Sequence, residues 1–352
     1  MVETIEENPT PKHKKKDEKS NIVSLGIDIG TMNIICSRSD EDQIKTTRNM
    51  FLKLDSSEIP KQDLKDITFV EIEDDIYIIG EDSFRMANLF NKKVSRPMEK
   101  GMISPNEIDA IDILGLIVKD LIGDVKNKET FATYSIPAEA IDLDRSVTYH
   151  EKVFAKILGD IGINYKSCNE ALAIIYSECQ KENYTGVGIS FGAGMANICT
   201  SFRGVEVFSF ATTRSGDWID TNTSNSLNIT PNRVTNIKEK YLDLNRDSSG
   251  LNKRTKRVVE ALQYYYQSMI DYTIKNIVKQ FEANFDLDTD EKFVIVISGG
   301  TSLCNGFVDL FKKTINDYEL PFDISEIRHA NDPLCCVSQG LLVRTLADVK
   351  GN

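Results

Sequence analysis

Apolar positions fall into two rhythms along this chain: short continuous runs of strand length, and longer stretches that recur every three or four residues, with glycine-rich turns between them. The first run, Ile22-Val23-Ser24-Leu25-Gly26-Ile27, leads through Asp28-Ile29-Gly30-Thr31 to a second run, Ile34-Ile35-Cys36. Two short apolar runs joined by a glycine turn predict a hairpin. Further strands are expected at 67–72, 76–79 and 131–136. A helix is expected over 107–122, where Ile108, Ile111, Leu114, Val118 and Leu121 share one stripe, and Val153, Phe154, Ile157 and Leu158 mark another.

The second half repeats the first in outline. Residues 187–191, the turn Gly192-Ala193-Gly194 and residues 196–202 make another strand, turn and strand, followed by a strand at 205–211. Val259, Leu262, Tyr266, Met269, Ile270, Ile277 and Phe281 keep helical spacing, which assigns Tyr264-Tyr265-Tyr266 to a helix core and its surface rather than to a platform for stacked bases. An apolar strand at 293–297 runs straight into Ser298-Gly299-Gly300-Thr301. Such units present twice predict a duplicated α/β architecture. Residues 1–20, by contrast, hold few apolar side chains, two prolines and lysines at Lys12 and Lys14 to Lys16, the composition of a disordered tail.

Composition narrows the function classes. The chain has 352 residues and a formal net charge of −12, so it repels a phosphate backbone; with no RNP, zinc-finger or basic-zipper pattern, direct readout of nucleic acid is not expected. The tail's lysines could touch an anionic membrane at about 1 kcal/mol each, but neighbouring acids balance them, so membrane contact is expected to be weak at most. His13, His150 and His329 are far apart and show no zinc-binding spacing; each is expected to be solvated or locally hydrogen-bonded. The seven cysteines include no Cys-x-x-Cys and lie mostly in apolar runs, which reads as buried thiols in a reducing cytoplasm. The adjacent Cys335-Cys336 is read as core packing rather than a vicinal redox pair. No stretch reaches the roughly 18–20 apolar residues that span a bilayer.

Taken singly, each glycine turn is a weak signal, because glycine that lets backbone N–H groups approach a phosphate also makes ordinary hairpins. Their combination and order resemble the actin-like ATPase superfamily of actin, MreB, ParM and the DnaK-type chaperones, with MreB-like members the nearest fit from about residue 22 onward. Arg96-Pro97-Met98-Glu99-Lys100-Gly101 is similar to an Arg-Pro-x-x-x-Gly segment of MreB, and Ser135-Ile136-Pro137-Ala138 to the strand-Pro-Ala that follows it. Asn169-Glu170-Ala171-Leu172-Ala173 resembles a Glu-Pro-x-Ala-Ala helix, with Ala171 in place of the usual proline. Ser215-Gly216-Asp217-Trp218-Ile219-Asp220 resembles Gly-Gly-Asp-x-x-Asp, Ile237-Lys238-Glu239-Lys240 matches a short actin segment, and Asp332-Pro333-Leu334 through Gly340 fits the start of the last helix.

The resemblance implies an α/β, two-domain actin-like fold, a duplicated mixed sheet flanked by helices, with a nucleotide cleft between the domains. Residues 21–170 plus about 336–352 would form one domain and 171–335 the other, its outer subdomain reduced to a loop near 240–253. In the cleft, a loop over 26–33 that includes Gly30, Thr31, Met32 and Asn33 would face Ser190, Gly192, Ala193 and Gly194 across the phosphates. Gly299, Gly300 and Thr301 would line the adenosine, and Lys238 and Glu239 would contact ribose or adenine. Asp28 would hold Mg2+ through its water shell and Glu170 would orient the attacking water. One departure stands out: where the family has Asp-x-Gly-x-Gly-Thr, this chain reads Ser190-Phe191-Gly192-Ala193-Gly194-Met195. Loss of that carboxylate is expected to spare nucleotide binding more than turnover. Two functions follow by resemblance, a polymerising cytoskeletal ATPase binding ATP and ADP, or a non-hydrolysing nucleotide-gated scaffold. A chaperone is less favoured because little chain follows Gly340, and a sugar kinase because no insertion could form a sugar lobe.

Overall fold

The computed structural model describes residues 22–107, 109–125, 127–284 and 290–351, so the tail expected at 1–20 and position 108 lie outside the described residues. The first apolar run forms β1 (Ile22–Ile29), which folds back as β2 (Asn33–Arg38) and continues into β3 (Lys45–Arg48). A small sheet of β4 (Phe51–Asp55), β5 (Phe69–Ile72) and β6 (Asp75–Ile79) carries helix α1 (Glu81–Phe90), with Leu52, Leu54, Ile76, Ile78 and Met86 packed between them. The short strands β7 (Met98–Glu99) and β8 (Met102–Ile103) form a tight hairpin. Then follow α2 (Ala110–Ile122), β9 (Glu129–Ile136), α3 (Thr148–Ile161) and β10 (Asn164–Asn169). The α2 stripe is as expected, but the helix starts at Ala110 rather than 107, because Pro105 and Asn106 continue the turn out of β8 and Asp109 takes the cap position.

The second half runs α4 (Glu170–Glu178), β11 (Gly186–Phe191), β12 (Ala196–Phe202), β13 (Val205–Thr212), α5 (Gly216–Leu227), α6 (Pro231–Tyr241), α7 (Lys253–Asn284), β14 (Phe293–Ser298), α8 (Phe307–Ile315), β15 (Ile324–His329) and α9 (Cys336–Gly351). Between α6 and α7, residues 242–252 carry a bridge from Asp243 to Asn305 and otherwise only turns and bends. In α7 the predicted stripe from Val259 to Phe281 is buried; Tyr266 lies inside and Tyr264 is exposed, as the spacing requires.

The duplication is explicit in the topology. One five-stranded sheet has the order β3-β2-β1-β9-β10 and the other β13-β12-β11-β14-β15. In each, the central strand pairs antiparallel with the strand that follows its glycine turn and parallel with a later strand. Apolar clusters fill each layer, one around Leu25, Ile27, Ile113 and Phe154 and the other around Ile189, Phe191, Ile274 and Phe307. The helices α4 and α9 pack against each other between the two sheets, with Ala173, Ile174, Val337 and Leu341 in their shared core.

Close helix approach corrects one expectation. A Cβ on Gly26 would sit 2.0 Å from the Ser338 carbonyl oxygen of α9, and one on Gly188 would sit 2.3 Å from the Ala171 oxygen of α4. Gly26 is therefore a strand residue that lets α9 lie on β1. The loop expected over 26–33 shrinks to the turn after Ile29, with Asn33 already opening β2. His150 is a second correction: it is buried against Phe154, ring centroids 4.8 Å apart, and neither ring nitrogen has a hydrogen-bond partner. All seven cysteines are free; Cys36, Cys179, Cys199 and Cys336 are buried, while Cys168, Cys304 and Cys335 keep partial exposure.

Candidate functional site

The two glycine turns are built alike. The Gly30 N–H donates to the Asn33 carbonyl at 3.0 Å, and the Gly192 N–H donates to the Met195 carbonyl at 2.9 Å. Among the described residues, the N–H groups of Thr31, Met32, Ala193 and Gly194 donate to no backbone carbonyl, which leaves adjacent donors on each turn for a ligand. Both turns line one cleft of about 890 Å3, a volume within the range of small-molecule ligand sites. Gly194 lies hard against the first half, since a Cβ there would be 2.5 Å from both the Gly101 nitrogen and the Thr31 hydroxyl.

Asp28, at the end of β1, and Glu170, opening α4, meet at the floor of this cleft. The Ser135 hydroxyl donates to Asp28 at 3.1 Å and accepts the Ile29 N–H at 2.7 Å. The Asn197 amide donates to Glu170 at 2.8 Å, while its own oxygen accepts the Ala138 N–H at 3.0 Å. Asn169 caps α4 by accepting the N–H groups of Ala171 and Leu172, which fixes where Glu170 starts. Burial raises both carboxyl groups above their ordinary range; the Asp28 charge pushes Glu170 further, and hydrogen bonds from Ser135 and Ser190 pull back only in part. Among the described residues neither half-buried carboxyl group forms an ion pair, and two such oxygen donors lining one cleft could take a cation. No cluster of three or more His, Cys, Asp or Glu that could hold a metal ion occurs among the described residues.

Farther along the cleft, Gly299, Gly300 and Thr301 follow β14, and the Thr301 hydroxyl donates to the Gly192 carbonyl at 2.7 Å. Lys238 and Glu239 line the same wall from α6. The Lys238 ammonium is held by both oxygens of Asp220, at 2.7 and 2.8 Å, so it ties α6 to α5 as well as facing the cleft. Every residue proposed from the sequence thus borders this cleft, Ser190 included. Ser190 is buried in β11, in register with Asn197 and Ser298. Met195 borders the same cleft and is buried with Met102, Ala138 and Ala211 at the junction of the two halves.

Sequence reasoning did not pick out Asn197, Ser135, Arg96 or Asp217 as site residues. Ser135, Arg96 and Asp217 lay in segments noted for their resemblance, but their partners are distant in sequence, so no local pattern shows what each one meets. Among the described residues no helix is long and apolar enough to cross a membrane.

A family model described as Volactin matches residues 23–345. No curated protein matches the chain. Among solved structures, a MamK double helical filament is similar over 93% of this chain and 99% of that one, at 18% identity and a TM-score of 0.67. MreB5 of Spiroplasma citri bound to ADP is similar over 94% of this chain and 97% of that one, at 13% identity and a TM-score of 0.63. The ethanolamine utilization protein EutJ from Carboxydothermus hydrogenoformans is similar over 96% and 91%, at 15% identity and a TM-score of 0.51. At these identities the likeness is one of fold, and the fold is actin-like.

Proposed function

The chain belongs to the Volactin family, and on that premise we propose that it binds ATP with Mg2+ in the cleft between its two sheets and self-associates in a nucleotide-dependent way. The observation that carries this reading is the pair of matched turns with unspent N–H donors, facing one cleft above two like-charged carboxylates. Backbone donors of this kind bind phosphate oxygens, and a bound divalent ion would neutralise charge that the turns alone cannot. MreB5 of Spiroplasma citri, similar in fold, is a structure bound to ADP, and the MamK structure is a double helical filament; both support the reading. We assign 21–170 with about 336–352 to one domain and 171–335 to the other, and place the protein in the cytoplasm.

In this reading Asp28 would hold Mg2+, which would neutralise phosphate charge, and Gly30 to Asn33 and Gly192 to Gly194 would hold the phosphates. Gly299 to Thr301, Lys238 and Glu239 border the nucleoside. Glu170, held by Asn197 and Ser190, orients the attacking water and accepts its proton. A carboxyl group whose affinity for protons is raised by burial is better matched to that task than an exposed one. Turnover is slow because position 190 supplies a hydroxyl where a carboxylate would help position the hydrated ion. The same observation favours a second reading, a nucleotide-gated scaffold that does not hydrolyse ATP. Steady-state phosphate release separates the two. The ATPase reading expects activity above that of Glu170→Ala and Asp28→Ala, and a gain in Ser190→Asp; activity no greater than in the two variants rejects it and leaves the scaffold.

A further inference from the structure

The cations along the cleft differ in what they join. Arg48 pairs with Glu81 at 3.2 Å and Lys238 with Asp220, each within one half of the molecule. Arg96 crosses: its guanidinium meets the Asp217 carboxylate at 2.9 and 3.2 Å, joining the segment before β7 to the first turn of α5. Both side chains border the cleft and both keep about a third of their surface exposed, 29% and 35%.

The two ends of this pair are anchored to the two turns. On one side, Ser95 is locked to Phe51 of β4 by paired backbone hydrogen bonds of 2.9 Å each, and five residues past Arg96 the Gly101 N–H donates to the Thr31 hydroxyl at 3.1 Å. On the other side, the Asp217 N–H donates to the Ala193 carbonyl at 2.8 Å, and Gly216 and Ser215 both donate to the Gly192 carbonyl. The contacts therefore close a ring: first turn, Gly101 segment, Arg96, Asp217, second turn. These contacts tie both turns to one ion pair, so parting the turns around a ligand that both of them hold would load that pair.

We propose that Arg96 and Asp217 form a latch across the phosphate end of the cleft that sets the rate at which bound nucleotide leaves. The proposal rests on the nucleotide reading of the cleft and adds a specific kinetic role for two positioning residues. The pair is half-exposed, so its hold is modest and weakens as salt screens it. Opening it accelerates release by about fivefold, the factor that corresponds to roughly 1 kcal/mol for a partly exposed pair.

The test is stopped-flow release of a fluorescent ATP analogue, with Mg2+ present, from the wild-type chain and from Arg96→Gln, Asp217→Asn, the double variant and the reversed pair Arg96→Asp with Asp217→Arg. Trp218, the single tryptophan of the chain, adjoins Asp217 and gives a second signal for separation of the halves. The latch predicts that each single substitution speeds release about fivefold, that the double variant is no faster than either single, and that reversal recovers at least half of the loss. It also predicts that added salt speeds release from wild type but not from Arg96→Gln. Wild-type release rates in both single variants, or a double variant whose acceleration is the product of the two, overturn the latch while leaving the site intact. Failure of the wild-type chain to bind the analogue overturns the nucleotide reading and the latch with it.

Discussion

Replacing Gly194 by alanine puts the proposed meeting of the two turns under direct strain. The added Cβ would lie 2.5 Å from the Gly101 nitrogen, 2.5 Å from the Thr31 hydroxyl and 3.1 Å from the Lys100 nitrogen, where ordinary contact begins at 3.4 Å. Two of these three atoms are backbone, so the second turn must withdraw by about 1 Å. Overpacking of this kind costs about 1–3 kcal/mol, and at roughly 2–4 °C per kcal/mol for a chain this large the melting temperature should drop by about 5 °C. The same withdrawal takes the Ala193 and Gly194 donors away from a phosphate gripped from the other side. Loss of one or two charge-assisted hydrogen bonds at about 1.5 kcal/mol or more each weakens Mg-ATP about 10- to 100-fold. Gly192→Ala is the control, because its Cβ would meet only the Met195 carbonyl, at 3.0 Å. Calorimetric titration with Mg-ATP and a thermal melt of both variants give the comparison. Wild-type binding and melting in Gly194→Ala, or a larger effect in Gly192→Ala, would refute the reasoning.

Other outcomes follow from the same structure. Asp28 and Glu170 have raised affinity for protons when folded, so the folded state binds more protons than the unfolded chain. Their contribution to the stability of the nucleotide-free protein is fully present below the ordinary carboxylate range and is lost as the pH rises toward about 7 to 8, and Glu170→Gln should flatten that component in urea denaturation followed across pH. His150 works in the opposite direction: burial lowers its pKa from 6.5 to about 4, so the unfolded chain takes up the proton first. Stability is lost as the pH drops through that window, by about 3 kcal/mol in all, and His150→Phe should remove this component when denaturation at pH 7 and pH 4.5 is compared with wild type. Met195→Thr restores the residue usual in related ATPases, but it hollows the cluster with Met102, Ala138 and Ala211; a loss of about 2 kcal/mol without a gain in phosphate release is expected from melts and activity assays run together.

The duplicated sheets were legible in the sequence because their central strands, β1, β11 and β14, are continuous apolar runs buried on both faces, ended by glycine. β10 was not, since Asn-Tyr-Lys-Ser-Cys-Asn is polar and earns its place as an edge strand through pairing with β9 alone. Nor was α5, whose Asp-Thr-Asn-Thr-Ser-Asn-Ser stretch is poor in helix formers and is held by packing against α6 and α7. In the cleft, Asp28, Glu170 and the turns were legible by resemblance, because each lies in a short contiguous motif. The groups that orient them were not: Ser135 reaches Asp28 across 107 positions, Asn197 reaches Glu170 across 27, and Arg96 reaches Asp217 across 121. The packing of Met195 was not legible either. It stands where the family has threonine, and its side chain packs with Met102, Ala138 and Ala211 between the halves.

The central claim is that one cleft, gripped by two matched turns over Asp28 and Glu170, binds Mg-nucleotide. A calorimetric titration of the full chain with ATP, with and without Mg2+, tests it most directly. The account predicts saturable binding at one site per chain that Mg2+ strengthens and that Asp28→Asn makes insensitive to Mg2+. No binding in either condition, or binding that Mg2+ and Asp28→Asn leave unchanged, would contradict it.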